Sequence, residues 1–228
     1  MGDWTTVSSL QGKLNEKFYT VLEQQGHQEL RPCQQKALNQ GLLEGKSLLV
    51  CTPTGSGKTL VAELAGINAI LTRRGKTVYI VPLKSLASEK HKQLTARYGH
   101  LLRVALSIGD LDSSDPYLAE YDFIITTSEK LDSLIRHGAP WLKDVAVVVI
   151  DEIHLLNDPG RGPTLEIVIT ILRQMLRNVQ LLGLSATIGN PEELAEWLDA
   201  GLVLDSWRPV ELKKGIYFDG ELVFEDKK

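Results

Sequence analysis

Two periodicities alternate along the chain. From Lys46 onward, short runs of β-branched and apolar residues recur, separated by longer stretches of mixed character. The runs Ser47–Cys51, Thr77–Val81, Arg103–Leu106, Phe123–Thr126, Val145–Ile150 and Leu181–Leu184 are mostly apolar, as strands are when both faces of their sheet are covered. Between them, helical stretches are predicted to begin near Lys58, Leu83, Ser128, Thr164 and Pro191, several at Thr, Ser or Pro, which suit helix N-termini. Strand then helix, repeated, predicts an α/β fold with a mostly parallel central sheet and helices on both faces. Two helices are predicted ahead of the sheet, Lys13–Gln25 and Pro32–Leu43, the second opened by its proline. After Thr187 only a helix near Pro191–Asp199 and an extended Val210–Phe218 can be read, too little for a second domain. The expected division is 1–45 as N-terminal helices of the same lobe, 46–205 as the sheet domain and 206–228 as an extended segment.

Composition narrows the class. With 228 residues, 43% hydrophobic and 24% charged, the chain can bury one substantial core. Its two cysteines, Cys33 and Cys51, are too few for a disulfide framework, and it opens on polar residues rather than a charged and then apolar leader. The longest clean apolar stretch, Val145–Ile150, falls far short of the roughly 20 residues that span a bilayer. A cytoplasmic protein with no membrane segment is expected, nucleoid-associated if prokaryotic. The net charge of −4 argues against a surface coated in basic charge but leaves room for a local positive track.

The chemistry lies in two short segments. Thr52-Pro53-Thr54-Gly55-Ser56-Gly57-Lys58-Thr59 sits between a predicted strand and a predicted helix, the context a phosphate loop requires. Gly55 and Gly57 let the backbone aim N–H groups at phosphates, with Thr54 and Ser56 in the same cradle, and the helix N-terminus favours an anion. Lys58 would neutralise β/γ-phosphate charge and Thr59 would offer its hydroxyl to Mg²⁺. Thr52 stands where the general motif has glycine. The second segment, Asp151-Glu152-Ile153-His154, follows the strand Val145–Ile150, so two carboxylates emerge at the carboxyl end of the sheet, where open α/β folds bind ligands. Asp151 would hold Mg²⁺, and Glu152 would orient and deprotonate the attacking water. His154 suits a coupling role. ATP and Mg²⁺ are therefore the expected cofactors, with Lys58, Asp151 and Glu152 catalytic.

In their order and wording these segments resemble the superfamily 2 helicases of the Ski-like branch, closest to the archaeal Holliday-junction-migration type of DNA repair helicase. The resemblance covers nearly the whole chain and implies a RecA-like P-loop domain, the first motor lobe. Leu30-Arg31-Pro32-Cys33-Gln34 resembles the Q motif, which makes Gln34 the adenine contact. Cys51–Thr59 is similar to motif I, Asp151–His154 to the DExH form of motif II, and Ser185-Ala186-Thr187 to motif III, whose Ser185 and Thr187 would couple the nucleotide and nucleic-acid sites. Val81-Pro82-Leu83-Lys84-Ser85-Leu86-Ala87 resembles motif Ia, Ser107-Ile108-Gly109-Asp110 the GD element, and Thr126-Thr127-Ser128-Glu129-Lys130 motif Ib. By that match Pro82, Lys84, Ser85, Gly109, Thr127 and Ser128 contact nucleic acid, and Ser85, Thr127 and Ser128 lie near helix starts whose N–H groups can grip phosphates. Arg161-Gly162-Pro163-Thr164-Leu165-Glu166 and Trp207-Arg208-Pro209-Val210 resemble stretches of the Ski-like branch, the latter leading towards a second lobe.

The resemblance implies an ATP-dependent DNA helicase with 3′–5′ polarity acting in DNA repair or replication-fork processing, with single-stranded or branched DNA, a second RecA-like lobe and further C-terminal domains as partners. An arginine of that second lobe would complete the transition-state charge, so the chain alone is expected to bind nucleotide and hydrolyse it slowly. Arg173 and Arg177, at i and i+4 beside apolar positions, read as a solvated helix face rather than substitutes. Other readings stay open: an RNA helicase lobe of the same branch, a small-molecule P-loop kinase, which would need a lid, and a nucleotide-gated binding module without turnover. The basic stretch Lys84–Arg97 can follow a phosphate backbone or be a solvated face. Phe18 can pack on the adenine or lie in the core, and Trp197 fits packing better than base stacking.

Overall fold

The computed structural model describes residues 4–26, 28–109, 114–211, 213 and 215–224; Asp110 of the GD element lies outside them. Strands β1 (Leu48–Cys51), β2 (Lys76–Ile80), β3 (Val104–Ser107), β4 (Phe123–Thr126), β5 (Val145–Ile150), β6 (Gln180–Ser185) and β7 (Gly201–Leu204) form one sheet in the order β3-β4-β2-β5-β6-β1-β7. Every neighbouring pair is parallel. Parallel strands need crossovers, supplied here by α3 (Lys58–Leu71), α4 (Lys84–Tyr98), α5 (Ser128–Arg136), α6 (Gly162–Met175) and α7 (Pro191–Leu198), with α1 (Glu16–Gln24) and α2 (Pro32–Asn39) ahead of the sheet. The chain is α/β with the RecA-like order of elements.

Side chains alternate across each strand, which divides the core in two. Leu48, Val50, Tyr79, Val81, Val147 and Val149 join the core under α1 to α4, whereas Leu49, Cys51, Val78, Ile80, Val148 and Ile150 join that under α5 to α7. The close approach of α3 to the sheet depends on Gly66. A Cβ there would lie 2.8 Å from Thr77 Cγ2 and 3.2 Å from the Phe123 ring, and the Gly66 carbonyl accepts from Thr77 Oγ1 at 3.0 Å. Gly66→Ala is expected to destabilise the fold by about 1–3 kcal/mol through overpacking and lower the thermal midpoint by about 2–10 °C. An unchanged midpoint in thermal unfolding would mean that α3 can lift away without loss.

Several elements differ from expectation. The first helix begins at Glu16, not Lys13, because the Asn15 side chain accepts from Lys17 N–H as its cap and a 3-10 turn, Val7–Leu10, precedes it. The helix α2 ends at Asn39, short of Leu43, and α6 begins at Gly162, two residues before Thr164. Strand β7 was not foreseen; it closes the sheet beside β1. The expected extended run Val210–Phe218 yields a strand only over β8 (Gly215–Phe218), which turns back on β9 (Glu221–Phe224). Asp219 and Gly220, at φ 47° and 85°, make the left-handed two-residue turn such a hairpin needs.

Candidate nucleotide site

Because the sheet is parallel, the loops leaving β1, β5 and β6 open on one edge, as do those leaving β2, β3 and β4. The sheet order puts the first three on one half of that edge and the others on the second half, with β5 against β2 at the junction.

After β1, Thr52 N–H donates to Ser185 O at 3.2 Å, and the Thr52 and Ser56 hydroxyls lie 2.6 Å apart, both buried. The departure from glycine at Thr52 thus pins the loop from within. Three consecutive carbonyls are then drawn to the start of α2: Arg31 Nη1 donates to Gly55 O, Cys33 Sγ to Ser56 O at 3.3 Å and Gln34 Nε2 to Gly57 O at 3.0 Å. In planar trans peptides the N–H groups of Gly57 and Lys58 point opposite to the carbonyls so held. Gly55 and Gly57 take φ 82° and 98°, and a Cβ on Gly57 would strike Gln34 Nε2 at 2.5 Å. Gln34 also accepts from Arg31 N–H at 2.8 Å, so its amide fastens the loop and keeps one N–H and one lone pair for another partner. Lys58 Nζ donates to Thr52 O at 2.8 Å and Pro53 O at 3.4 Å. Burial pushes its pKa below the usual lysine value, opposed by the Glu152 and Asp151 carboxylates, so the charge of the second predicted segment is felt at this ammonium. Thr54 and Gly55 are exposed at the mouth and Thr59 is half-buried in the first turn of α3.

After β5, Asp151 N–H donates to Ile80 O at 2.9 Å, prolonging the ladder by one residue. Its Oδ1 accepts from Glu152 N–H at 3.0 Å and its Oδ2 from Tyr79 Oη at 2.8 Å. Glu152 sits at φ 51°, a left-handed conformation that is strained for a non-glycine residue. His154 Nδ1 is 3.4 Å from Glu152 Oε2 but has no hydrogen-bond partner. Ser185 Oγ is buried beside the Cys51 sulfur and meets no nitrogen or oxygen partner, while Thr187 is exposed. Among the described residues no three His, Cys, Asp or Glu side chains form a metal cage. A hydroxyl and a carboxylate, Thr59 and Asp151, are hard oxygen donors of the kind that fit Mg²⁺, which keeps waters and substrate phosphates as its other ligands.

On the second half of the edge, Lys84 and Ser85 are exposed in the first turn of α4, whose start no side chain caps. Thr127 caps α5, accepting from Lys130 N–H at 3.4 Å, and is buried with Ser128, so its hydroxyl serves the helix. Gly109 is at φ 103° with open space where a Cβ would stand. Buried Lys130 and Asp115 pair at 3.0 Å, and Ser107 Oγ donates to Asp115 at 3.0 Å, tying the GD segment to the start of α5. Pro82 and Ser128 share a narrow cleft with Asp151, Glu152 and Arg161, which joins the two halves.

Some participants were invisible to sequence reasoning. Tyr79 lies in a strand and looks like core. Arg31 also sets its guanidinium 5.5 Å from the Trp207 ring, and Pro209 lies 3.7 Å from where a Gly55 Cβ would be, so the Trp207–Pro209 segment borders the loop mouth. A cavity of about 210 Å³ beside Gln34 is lined by Arg31, Gly57, Thr59, Glu63 and Arg97. Phe18 is not there: it is fully buried, edge-on to Tyr98 at 5.8 Å. Arg177 lines a cavity of about 660 Å³ with Gly75 and Val145 at the opposite edge of the sheet, and Arg173 donates to Trp197 O, so neither reaches the phosphate loop.

The family model described as DEAD/DEAH box helicase matches residues 31–194. The ATP-dependent DNA helicase Hel308 of Pyrococcus abyssi is 54% identical over 217 residues, 94% of this chain and 30% of that protein. Its counterpart in Thermococcus kodakarensis is 52% identical over 94% of this chain and 19% of that protein. The chain thus spans less than a third of these relatives. Among solved structures, the DUF1998 helicase MrfA bound to DNA superposes with a TM-score of 0.74 at 27% identity, over 85% of this chain and 30% of that one.

Proposed function

The chain belongs to the DEAD/DEAH box helicase family, and on that premise we propose that it is the ATP-binding motor lobe of an ATP-dependent DNA helicase, moving 3′ to 5′ in DNA repair or fork processing. The observation that carries this reading is a loop with its carbonyls tied back, leaving β1 on the same half of the sheet edge as the Asp151–Glu152 pair that leaves β5. The N–H groups of the loop and Lys58 bind the β- and γ-phosphates, and Gln34 reads the adenine edge from beside the 210 Å³ cavity. Thr59 and Asp151 hold Mg²⁺, which when bound neutralises charge on the phosphate oxygens. Glu152, whose carboxylate lies 3.4 Å from His154 and within the field of Lys58, orients water for in-line attack and takes its proton.

Pro82, Lys84, Ser85, Gly109, Thr127 and Ser128 follow a nucleic-acid backbone on the other half of the edge. Thr127 does so through its main chain, since its hydroxyl caps α5. His154, Ser185 and Thr187 couple the halves; the buried Ser185 Oγ, with only the Cys51 sulfur beside it among the described residues, is the group able to switch partners. DNA rather than RNA is favoured by relatives named as DNA helicases at 52–54% identity. Residues 1–45 and 46–205 form the lobe, and 206–228 leads towards a second one. No helix is long and apolar enough to cross a membrane among the described residues.

The test is Mg-ATP hydrolysis by this chain with and without single-stranded DNA, alongside nucleotide binding. Binding with near-zero turnover in both conditions is expected, because a missing arginine removes about 10³–10⁵ in rate. Absence of binding overturns the proposal. Turnover indifferent to nucleic acid favours a small-molecule kinase, and strong DNA stimulation means that chains associate to complete the site.

A further inference from the structure

Asp151 is held on both oxygens, and one of the two holders is a phenol that no motif contains. Tyr79 is fully buried, and its hydroxyl donates to Asp151 Oδ2 at 2.8 Å across 72 residues of sequence. Its ring is fixed on its own account. Phe123 stacks on it at 6.2 Å with 29° between planes, and Lys90 of α4 places its ammonium 5.2 Å from the ring centroid. The other oxygen, Oδ1, is turned to the Glu152 N–H at 3.0 Å. A carboxylate so pinned presents its remaining lone pairs in one direction.

We infer that Tyr79 is a positioning residue that aims the Asp151 carboxylate at the magnesium ion, the phenol standing where metal sites usually place a supporting hydrogen-bond partner behind a ligand. The inference rests on Asp151 being the metal carboxylate of the proposed ATP site. The contact also reaches beyond the site: Lys90 lies on the helix whose first turn carries Lys84 and Ser85, so the metal ligand and α4 meet on one side chain.

The experiment is the Mg²⁺ dependence of binding of a fluorescent ADP to the whole chain, compared with Tyr79→Phe, with binding in EDTA and the thermal midpoint as controls. Tyr79→Phe is expected to raise the Mg²⁺ concentration for half-maximal binding by on the order of tenfold, the usual effect of losing such a partner, and to leave EDTA binding unchanged. An Mg²⁺ dependence identical to the unsubstituted chain overturns the inference while the ATP site stands. An unsubstituted chain with no Mg²⁺-dependent binding overturns both. Should Tyr79→Phe not fold, ring-¹³C tyrosine in the unsubstituted chain decides: a Tyr79 ζ-carbon resonance that moves when Mg²⁺ joins the ADP complex supports the role, and one that stays overturns it.

Discussion

Glu152→Gln binds Mg-nucleotide as tightly as the unsubstituted chain and loses about 10²–10⁴-fold in hydrolysis, the contribution expected of a positioned general base. The separation of the two effects follows from what the side chain touches. Glu152 contributes its main-chain N–H to Asp151 Oδ1, a bond that glutamine keeps. Among the described residues its carboxylate makes no hydrogen bond: the His154 ring at 3.4 Å is misaligned and Lys58 is held by Thr52 O and Pro53 O, so the amide leaves no hydrogen-bond partner stranded. The left-handed backbone at φ 51° is no harder for glutamine than for glutamate. Single-turnover phosphate release, even if slow in this chain, reports the rate, and fluorescent-nucleotide titration reports binding. Equal release rates for the two chains would remove Glu152 from the base role.

Lys58→Ala, in contrast, is expected to weaken Mg-nucleotide binding by about a hundredfold, roughly 3 kcal/mol, as loss of charged hydrogen bonds to phosphate should. The nucleotide-free fold should hardly notice. Among the described residues Lys58 donates only to Thr52 O and Pro53 O, within its own loop. Its pKa is lowered on folding, chiefly by burial. The sign matters: a lysine with a depressed folded pKa destabilises the folded chain below that pKa, and the penalty fades as pH rises through it. At neutral pH, alanine therefore removes a small cost along with two hydrogen bonds. Thermal unfolding with and without Mg-ATP checks both halves, since ligand that binds only the folded chain raises the midpoint by mass action. A nucleotide-induced rise of equal size in the variant would sink the assignment.

Contiguous features were legible in the sequence and contacts between distant residues were not. The bounds of β4 and β5 match expectation because Phe123–Ile125, closed by the β-branched Thr126, and Val145–Ile150 are compact apolar runs flanked by polar residues. Strand β7 escaped because Gly-Leu-Val-Leu is a strand only through β1 beside it. The hairpin had a local signal, Asp219-Gly220, obscured when the run before it was read as one piece. The site divides the same way. Residues 52–59 and 151–154 state their chemistry within a few positions, and the glycines have the positive φ that the motif requires. Tyr79 and Arg31 act on those segments from 72 and 24 residues away, and nothing in the wording of β2 separates a tyrosine that holds a carboxylate from one that fills the core. Thr127 shows the converse: a motif residue whose hydroxyl turns out to serve its own helix.

The three carbonyls of Gly55, Ser56 and Gly57 are held by Arg31, Cys33 and Gln34, at the start of α2. Part of the entropy of ordering that loop is therefore met by contacts within the chain rather than by the phosphates. It also follows that the loop can be loosened from behind, through the start of α2, by a change that touches no phosphate.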